Sequence, residues 1–317
     1  MSIGEKMSQV KPLLKLSSDE RKQFLDSFDI MMADCDGVLW NLFSPIPGTG
    51  ETLNTLDALG KKIIYMSNNS IRTEKNYEDK VTKIGFKFER ENLVHPIAAI
   101  IRYLKKINFQ GLIYMIGTTY TKTLVREAGF RVIDGPNVFV EENFTNLVKN
   151  VKDGEPVKFV IMDVDFNFGY PKYLRAELYL RHPECQLIVA ATDHRLPVTD
   201  NFNLPGPGYF VDALVACLPP GKKPIVLGKP GKKLGEVLRD QFDIKDPKRV
   251  LFVGDMINPD IKFARNVGYQ SLLVLSGGTS PEEMLANTDE SAIPDFCADS
   301  LADLSTLIKN AAPQSTL

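Results

Sequence analysis

The chain has 317 residues, 44% of them hydrophobic and 25% charged, and a formal net charge of −2 at pH 7. That length exceeds one average domain and allows a large core; the near-neutral charge argues against a broad nucleic-acid-binding surface, and no stretch reaches the ~20 apolar residues of a membrane span. Cys35, Cys185, Cys217 and Cys297 lack metal-type spacing and read as reduced thiols, the N-terminus carries lysines but no signal-type apolar core, and the cytoplasm is therefore the expected compartment.

Ser17 and Glu20 stand at capping-box spacing and predict a helix start. Strand and helix signals then alternate. Strands are predicted over 28–33 and 62–66, and helices over 50–59, 75–84 and 95–104. A second series follows: strand 111–116, helix 120–128, strand 158–163, helix 170–180, strand 186–191 and helix 208–217. The run Pro219-Pro220-Gly221-Lys222-Lys223-Pro224 breaks the pattern and reads as a linker. Strand 225–227, helix 233–240, strand 249–253, helix 260–266, strand 270–275 and helix 300–310 close the chain. Such alternation predicts an α/β protein, a doubly wound parallel sheet with helices on both faces.

The first chemical signal is Asp34-Cys35-Asp36-Gly37, directly after an apolar run. In an extended segment residues two apart point the same way, so both carboxylates face one pocket. Buried carboxylates need compensation, and a divalent cation is the usual one. Asp34 is the candidate nucleophile and metal ligand, and Asp36 the candidate acid and base. Taken alone, such a pair is as readily two turn aspartates.

Three further segments fall at predicted strand ends. Ser67-Asn68-Asn69-Ser70 offers a hydroxyl, backbone N–H groups and amide donors to phosphate oxygens, or is a plain polar turn. Lys229, in Gly228-Lys229-Pro230-Gly231, is placed to neutralise a phosphoryl group, or is a solvated loop lysine. Asp255 would complete a metal site that magnesium suits, and Asp260 would orient a metal-bound water or Lys229; the alternative is a helix N-terminus rich in Asp and Asn. Cys35 and Trp40 read as packing residues, His95 and His182 as surface or helix residues, and Asp163 and Asp165 as turn formers.

In this order the four segments resemble the signature of the haloacid-dehalogenase superfamily of aspartate-nucleophile phosphatases. The strings 34–40, 67–70 with Arg72, 228–230 and 205–208 are similar to its branch of 4-nitrophenylphosphatases, phosphoglycolate phosphatases and pyridoxal phosphatases. The resemblance implies a Rossmann-like core, 1–108 and 219–317, carrying an inserted α/β cap, 109–218. It implies Asp34 as the residue that becomes aspartyl-phosphate, and Asp36 as acid/base and a Mg²⁺ ligand through its main-chain carbonyl. Asp255 would be the third protein ligand, Ser67, Asn68, Asn69 and Lys229 would bind phosphate, and Asp260 and Asn258 would stand behind the ion. A small phosphate ester is the implied substrate and a homodimer through the cap the implied assembly, without nucleic acid or membrane. Met256 and Asn258 depart from the branch, which usually shows Arg and an acidic residue there. That departure keeps open a catalytically weak relative acting as a binding module. A phosphatase of the same mechanism on a phosphoprotein or sugar phosphate is the other alternative.

Overall fold

A computed structural model describes residues 10–151, 155–199 and 202–311. The chain divides into two compact units. One comprises the described part of Met1–Ser67 with Arg72–Val94 and Arg239–Leu317; the other comprises Asn68–Ile71 and His95–Leu238.

The first unit is built on a seven-stranded sheet. Its order is Lys11–Pro12, Phe296–Ala298, Gln270–Val274, Val250–Gly254, Ile30–Asp34, Lys62–Met66, Leu93–Val94. All six pairings are parallel. Helices cover both faces, so the central strands read as unbroken apolar runs rather than alternating ones; Val250–Gly254 is buried at every position. One side of the sheet packs Phe24, Phe28, Leu53, Leu56, Val81, Leu304 and Leu307 against Met31, Ala33, Leu251 and Val253. The predicted N-terminal cap is present: Ser17 and Glu20 form a reciprocal box at the head of helix Ser18–Asp26.

The second unit holds a five-stranded parallel sheet in the order Ile225–Val226, Gln186–Val189, Val157–Met162, Leu112–Ile116, Arg131–Ile133. A separate antiparallel hairpin joins Arg195–Thr199 to Phe202–Pro205. Because Ile225–Val226 pairs with Gln186–Val189, the expected linker at 219–224 lies inside this unit's stretch of chain.

Most predicted elements stand within two residues of their expected ends. The differences are physical. Strand Ile30–Asp34 begins later than 28 because backbone pairing with its neighbours starts at Ile30, while Phe28 is buried in the core outside the ladder. The helix predicted over 260–266 begins at Lys262, behind a π-type turn at Ile257–Ile261 in which Asn258 is non-helical (φ −125°, ψ 111°). Pro259 has no N–H and disfavours the α region at Asn258, which accounts for the displaced start. Strands Arg131–Ile133 and Phe296–Ala298 and helix Phe144–Val151 have no counterpart in the sequence expectations.

Candidate active site

Asp34 ends strand Ile30–Asp34, and Asp255 follows strand Val250–Gly254 directly. These strands are neighbours, with Ala33 opposite Val253. From the first the chain moves out to Lys62–Met66, and from the second to the other flank at Gln270–Val274. The two aspartates therefore stand at the carboxyl ends of strands on either side of a topological switch point, where open α/β sheets hold their ligands.

The carboxylates of Asp34, Asp255 and Asp260 converge, each offering an oxygen within 4.8 Å of the others. Asp255 and Asp260 are buried and Asp34 is half-buried. The Cys35 N–H donates to Asp34 Oδ1 (2.7 Å), the Gly278 N–H to Asp255 Oδ2 (2.6 Å) and the Met256 N–H to Asp260 Oδ2 (3.1 Å). Three glycines make the room. A Cβ on Gly37 or Gly277 would fall 2.2 Å from Asp255 Oδ2, and one on Gly254 would fall 2.2 Å from the Asp260 Cβ. Gly37 also has φ +84°, a conformation that other residues rarely adopt. Three like charges so close in a buried crevice repel, and a hard divalent cation is what such an oxygen set suits. Asp260, expected behind the ion, belongs to this trio; Asn258 is exposed in the π-type turn.

The Asp36 side chain is engaged elsewhere. Arg72 donates Nη1 to Asp36 Oδ2 (2.8 Å) and Nη2 to Asp36 Oδ1 (2.9 Å), and the Trp40 indole N–H donates to Asp36 Oδ1 (3.1 Å). The guanidinium lies 5.1 Å from the Tyr77 ring centroid and 5.9 Å from that of Trp40. Burial is the strongest influence and opposes its charge, but the hydrogen bond to Asp36 and the attraction of that carboxylate together outweigh burial and hold the Arg72 pKa above the ordinary guanidinium value. The same Tyr77 donates its hydroxyl to Ser67 Oγ (2.8 Å), and burial raises the phenol's pKa, keeping it a donor. Ser67 is pinned as well through its N–H to the Val94 carbonyl (3.0 Å).

Asn68, Asn69 and Lys229 belong to the second unit. Lys229 follows the short strand Ile225–Val226, and it is buried to 1% exposure, unlike the solvated loop lysine that was the alternative. Asn69 Oδ1 accepts from the Ile71 N–H, forming an Asx turn. Ser70 and Asp163 form a buried pair, the hydroxyl lying 2.7 Å from both carboxylate oxygens. Desolvation pushes the Asp163 pKa up to about 6, against the Ser70 hydroxyl and the Val164 N–H, which lower it. Asp165 pairs with Lys172 at 2.7 Å. The residues singled out in the sequence thus fall into two sets: Asp34, Asp36, Ser67, Asp255, Asn258 and Asp260 in the first unit, Asn68, Asn69 and Lys229 in the second. Roles for Tyr77 and Gly277 left no signal in the sequence, and Arg72 stood out only as part of a string.

Residues 31–131 match the haloacid dehalogenase-like hydrolase family, and residues 226–304 match a second HAD-hydrolase-like description. The chain belongs to the haloacid dehalogenase-like hydrolases. Among its relatives, a 4-nitrophenylphosphatase of Schizosaccharomyces pombe is 32% identical over 295 residues, covering 92% of this chain and 98% of its own. Phosphoglycolate phosphatase 2 of Arabidopsis thaliana is 30% identical over 93% of this chain and 98% of its own. The crystal structure of 4-nitrophenylphosphatase from Thermotoga maritima superimposes with a TM-score of 0.71 at 26% identity, over 89% of this chain and 98% of that one. The protein is a phosphatase of this family. Among the described residues no helix is long and apolar enough to cross a membrane.

Proposed function

We propose that the protein is a Mg²⁺-dependent phosphomonoester hydrolase acting through an aspartyl-phosphate on a small phosphorylated metabolite of the phosphoglycolate or pyridoxal phosphate kind. The observation that carries this reading is the carboxylate trio Asp34, Asp255 and Asp260 at the switch point. Asp34 attacks phosphorus, the P–O bond to the leaving group breaks, and Asp36 gives that oxygen its proton. Asp36 then takes a proton from water, which attacks phosphorus and releases inorganic phosphate and the Asp34 carboxylate. Asp34, Asp255 and the main-chain carbonyl of Asp36 would hold Mg²⁺, with Asp260 beside them and Asn258 behind. What the ion supplies when bound is positive charge against the phosphoryl oxygens. Ser67, Asn68, Asn69 and Lys229 bind the phosphate, and Lys229 cancels charge on it; most of the catalysis is positioning and electrostatics. The resemblance further supports an inserted cap over 109–218 and dimerisation through it.

Phosphate release from 4-nitrophenyl phosphate, with and without Mg²⁺, tests the reading. The Asp34→Asn variant should lose turnover and keep its circular dichroism spectrum. Near-normal activity in that variant would refute the assignment of the nucleophile, and Mg²⁺-independent turnover would refute the metal.

A further inference from the structure

We infer that the Asn68 side chain is a positioning group for Lys229, and that any phosphate contact Asn68 makes comes from its backbone. This rests on the reading of Lys229 as the phosphate-neutralising lysine.

The carboxamide of Asn68 meets both ends of the Lys229 backbone. Its Oδ1 accepts from the Lys229 N–H (2.9 Å), and its Nδ2 donates to the Lys229 carbonyl (3.1 Å). Nδ2 donates a second time, to Asp193 Oδ2 (3.0 Å). An amide carries two N–H donors, so both protons are taken and none remains for a phosphate oxygen. The way the amide faces follows from these partners: a backbone N–H needs an acceptor, while a carbonyl and a carboxylate need donors. Turned the other way, the amide would set oxygen against oxygen at two of three contacts.

Thr192 closes the same clamp, its hydroxyl donating to the Lys229 carbonyl (3.2 Å). One residue earlier the backbone is pressed into place. A Cβ on Gly228 would lie 1.9 Å from the Ala190 carbonyl and 3.2 Å from Asn68 Oδ1, and the Leu227 N–H donates to the Val189 carbonyl. A residue bonded at its N–H and its carbonyl by one rigid planar group has little freedom in φ and ψ, so the direction of its Cα–Cβ bond is set. For a long side chain that must put a charge beside a reacting group, that direction decides where the ammonium arrives, and small misplacements are costly.

A double-mutant cycle tests the inference. The kcat and KM for 4-nitrophenyl phosphate with Mg²⁺, and the inhibition constant of inorganic phosphate, are measured for wild type, Asn68→Ala, Lys229→Ala and the double variant. Asn68→Ala should lower kcat/KM about tenfold in the wild-type background and less than about twofold in the Lys229→Ala background. Equal losses in both backgrounds, with phosphate inhibition weakened in both, would mean that the Asn68 side chain binds phosphate on its own account and would overturn the inference while leaving the phosphatase reading intact. Wild-type turnover in Lys229→Ala would overturn the inference together with the role of Lys229, and would leave the phosphatase reading standing. Should Asn68→Ala fail to fold, Thr192→Val carries the test: a smaller loss of kcat that vanishes without Lys229 supports the clamp, and unchanged turnover overturns it.

Discussion

Arg72 grips Asp36 along both carboxylate oxygens, at 2.8 and 2.9 Å, while the Trp40 indole holds one of them from a third direction. Three donors fix the rotamer of the residue assigned to move protons, and a donor must let go of whichever Asp36 oxygen carries the proton to be given. Bidentate, charge-assisted pairs are the strong and geometrically demanding kind. The carboxylate is 37% exposed, so solvent screening reduces what the pair adds to stability, and its consequence belongs mainly to orientation.

Arg72→Met should therefore lower kcat about tenfold on an alkyl phosphate, whose alkoxide cannot leave without a proton, and clearly less on 4-nitrophenyl phosphate, whose phenolate can. Arg72→Lys keeps the charge but not the fork and should recover part of the loss. Steady-state kinetics on the two substrates decides it. An equal loss on both would show that Arg72 does not orient the proton donor.

The trio of carboxylates makes a prediction about metal. Without a divalent cation, Asp34, Asp255 and Asp260 repel across less than 4.8 Å. Asp255→Asn removes one charge and should leave the metal-free protein at least as heat-stable as wild type. Added Mg²⁺ should raise the wild-type unfolding temperature, by an amount equivalent to about 2.7 kcal/mol at a hundredfold excess over Kd, and raise that of the variant little. Thermal scans with and without Mg²⁺ measure both, and an equal rise in the two proteins would rule out Asp255 as a ligand.

Gly277 is a packing requirement of the same site. A methyl group there would lie 2.2 Å from Asp255 Oδ2 and 2.7 Å from the Gly37 Cα. Gly277→Ala should cost about 1–3 kcal/mol as an overpacked substitution and displace the Asp255 carboxylate. The Mg²⁺ concentration for half-maximal turnover should then rise tenfold or more. Urea titration and a Mg²⁺ titration of activity read the two effects separately.

Between pH 4 and 6 two groups of the second unit pull stability in opposite directions. Burial raises the Asp163 pKa to about 6 from 3.8, so its stabilising contribution is complete below 3.8 and is lost as pH rises through 6. Burial lowers the His95 pKa to about 4 from 6.5, so its contribution is present above 6.5 and is lost as pH falls through 4. The sequence suggested a surface or helix histidine. His95 instead occupies the N-cap of helix Pro96–Lys106, with Nδ1 buried and no hydrogen-bond partner among the described residues. From pH 4 to 6 Asp163→Asn should gain more stability than the wild type does, and His95→Gln less. Denaturant melts at several pH values test this, and parallel profiles for the two variants would refute it.

Much of the first unit was legible in the sequence. Its central strands are buried on both faces, so they appear as short apolar runs closed by polar or glycine-rich turns, as Ile30–Asp34 and Lys62–Met66 do. The edge strand Leu93–Val94 and the next-to-edge strand Phe296–Ala298 are two and three residues long, too short to show a period, and exist only because a neighbour presents a paired backbone. Helix Phe144–Val151 does carry apolar residues at helical spacing, with Gly154 and Pro156 just beyond it, yet at eight residues it is short for a helix to be read from its period alone.

By itself the amino-acid order determined which chemical groups end which strands: Asp34 and Asp255 are delivered there by local periodicity and turn residues, and the family resemblance follows from their order together with the segments holding Ser67 and Lys229. Only the tertiary structure decided the partners of those groups. It brought the Asp260 carboxylate up to Asp34 and Asp255, turned Asp36 onto Arg72, and committed the Asn68 amide to Lys229, 161 residues away. The reason is that a hydrogen bond needs its two groups within a few tenths of an ångström of 2.9 Å. Over such separations that distance is set by the path of the whole backbone, which no local spacing encodes.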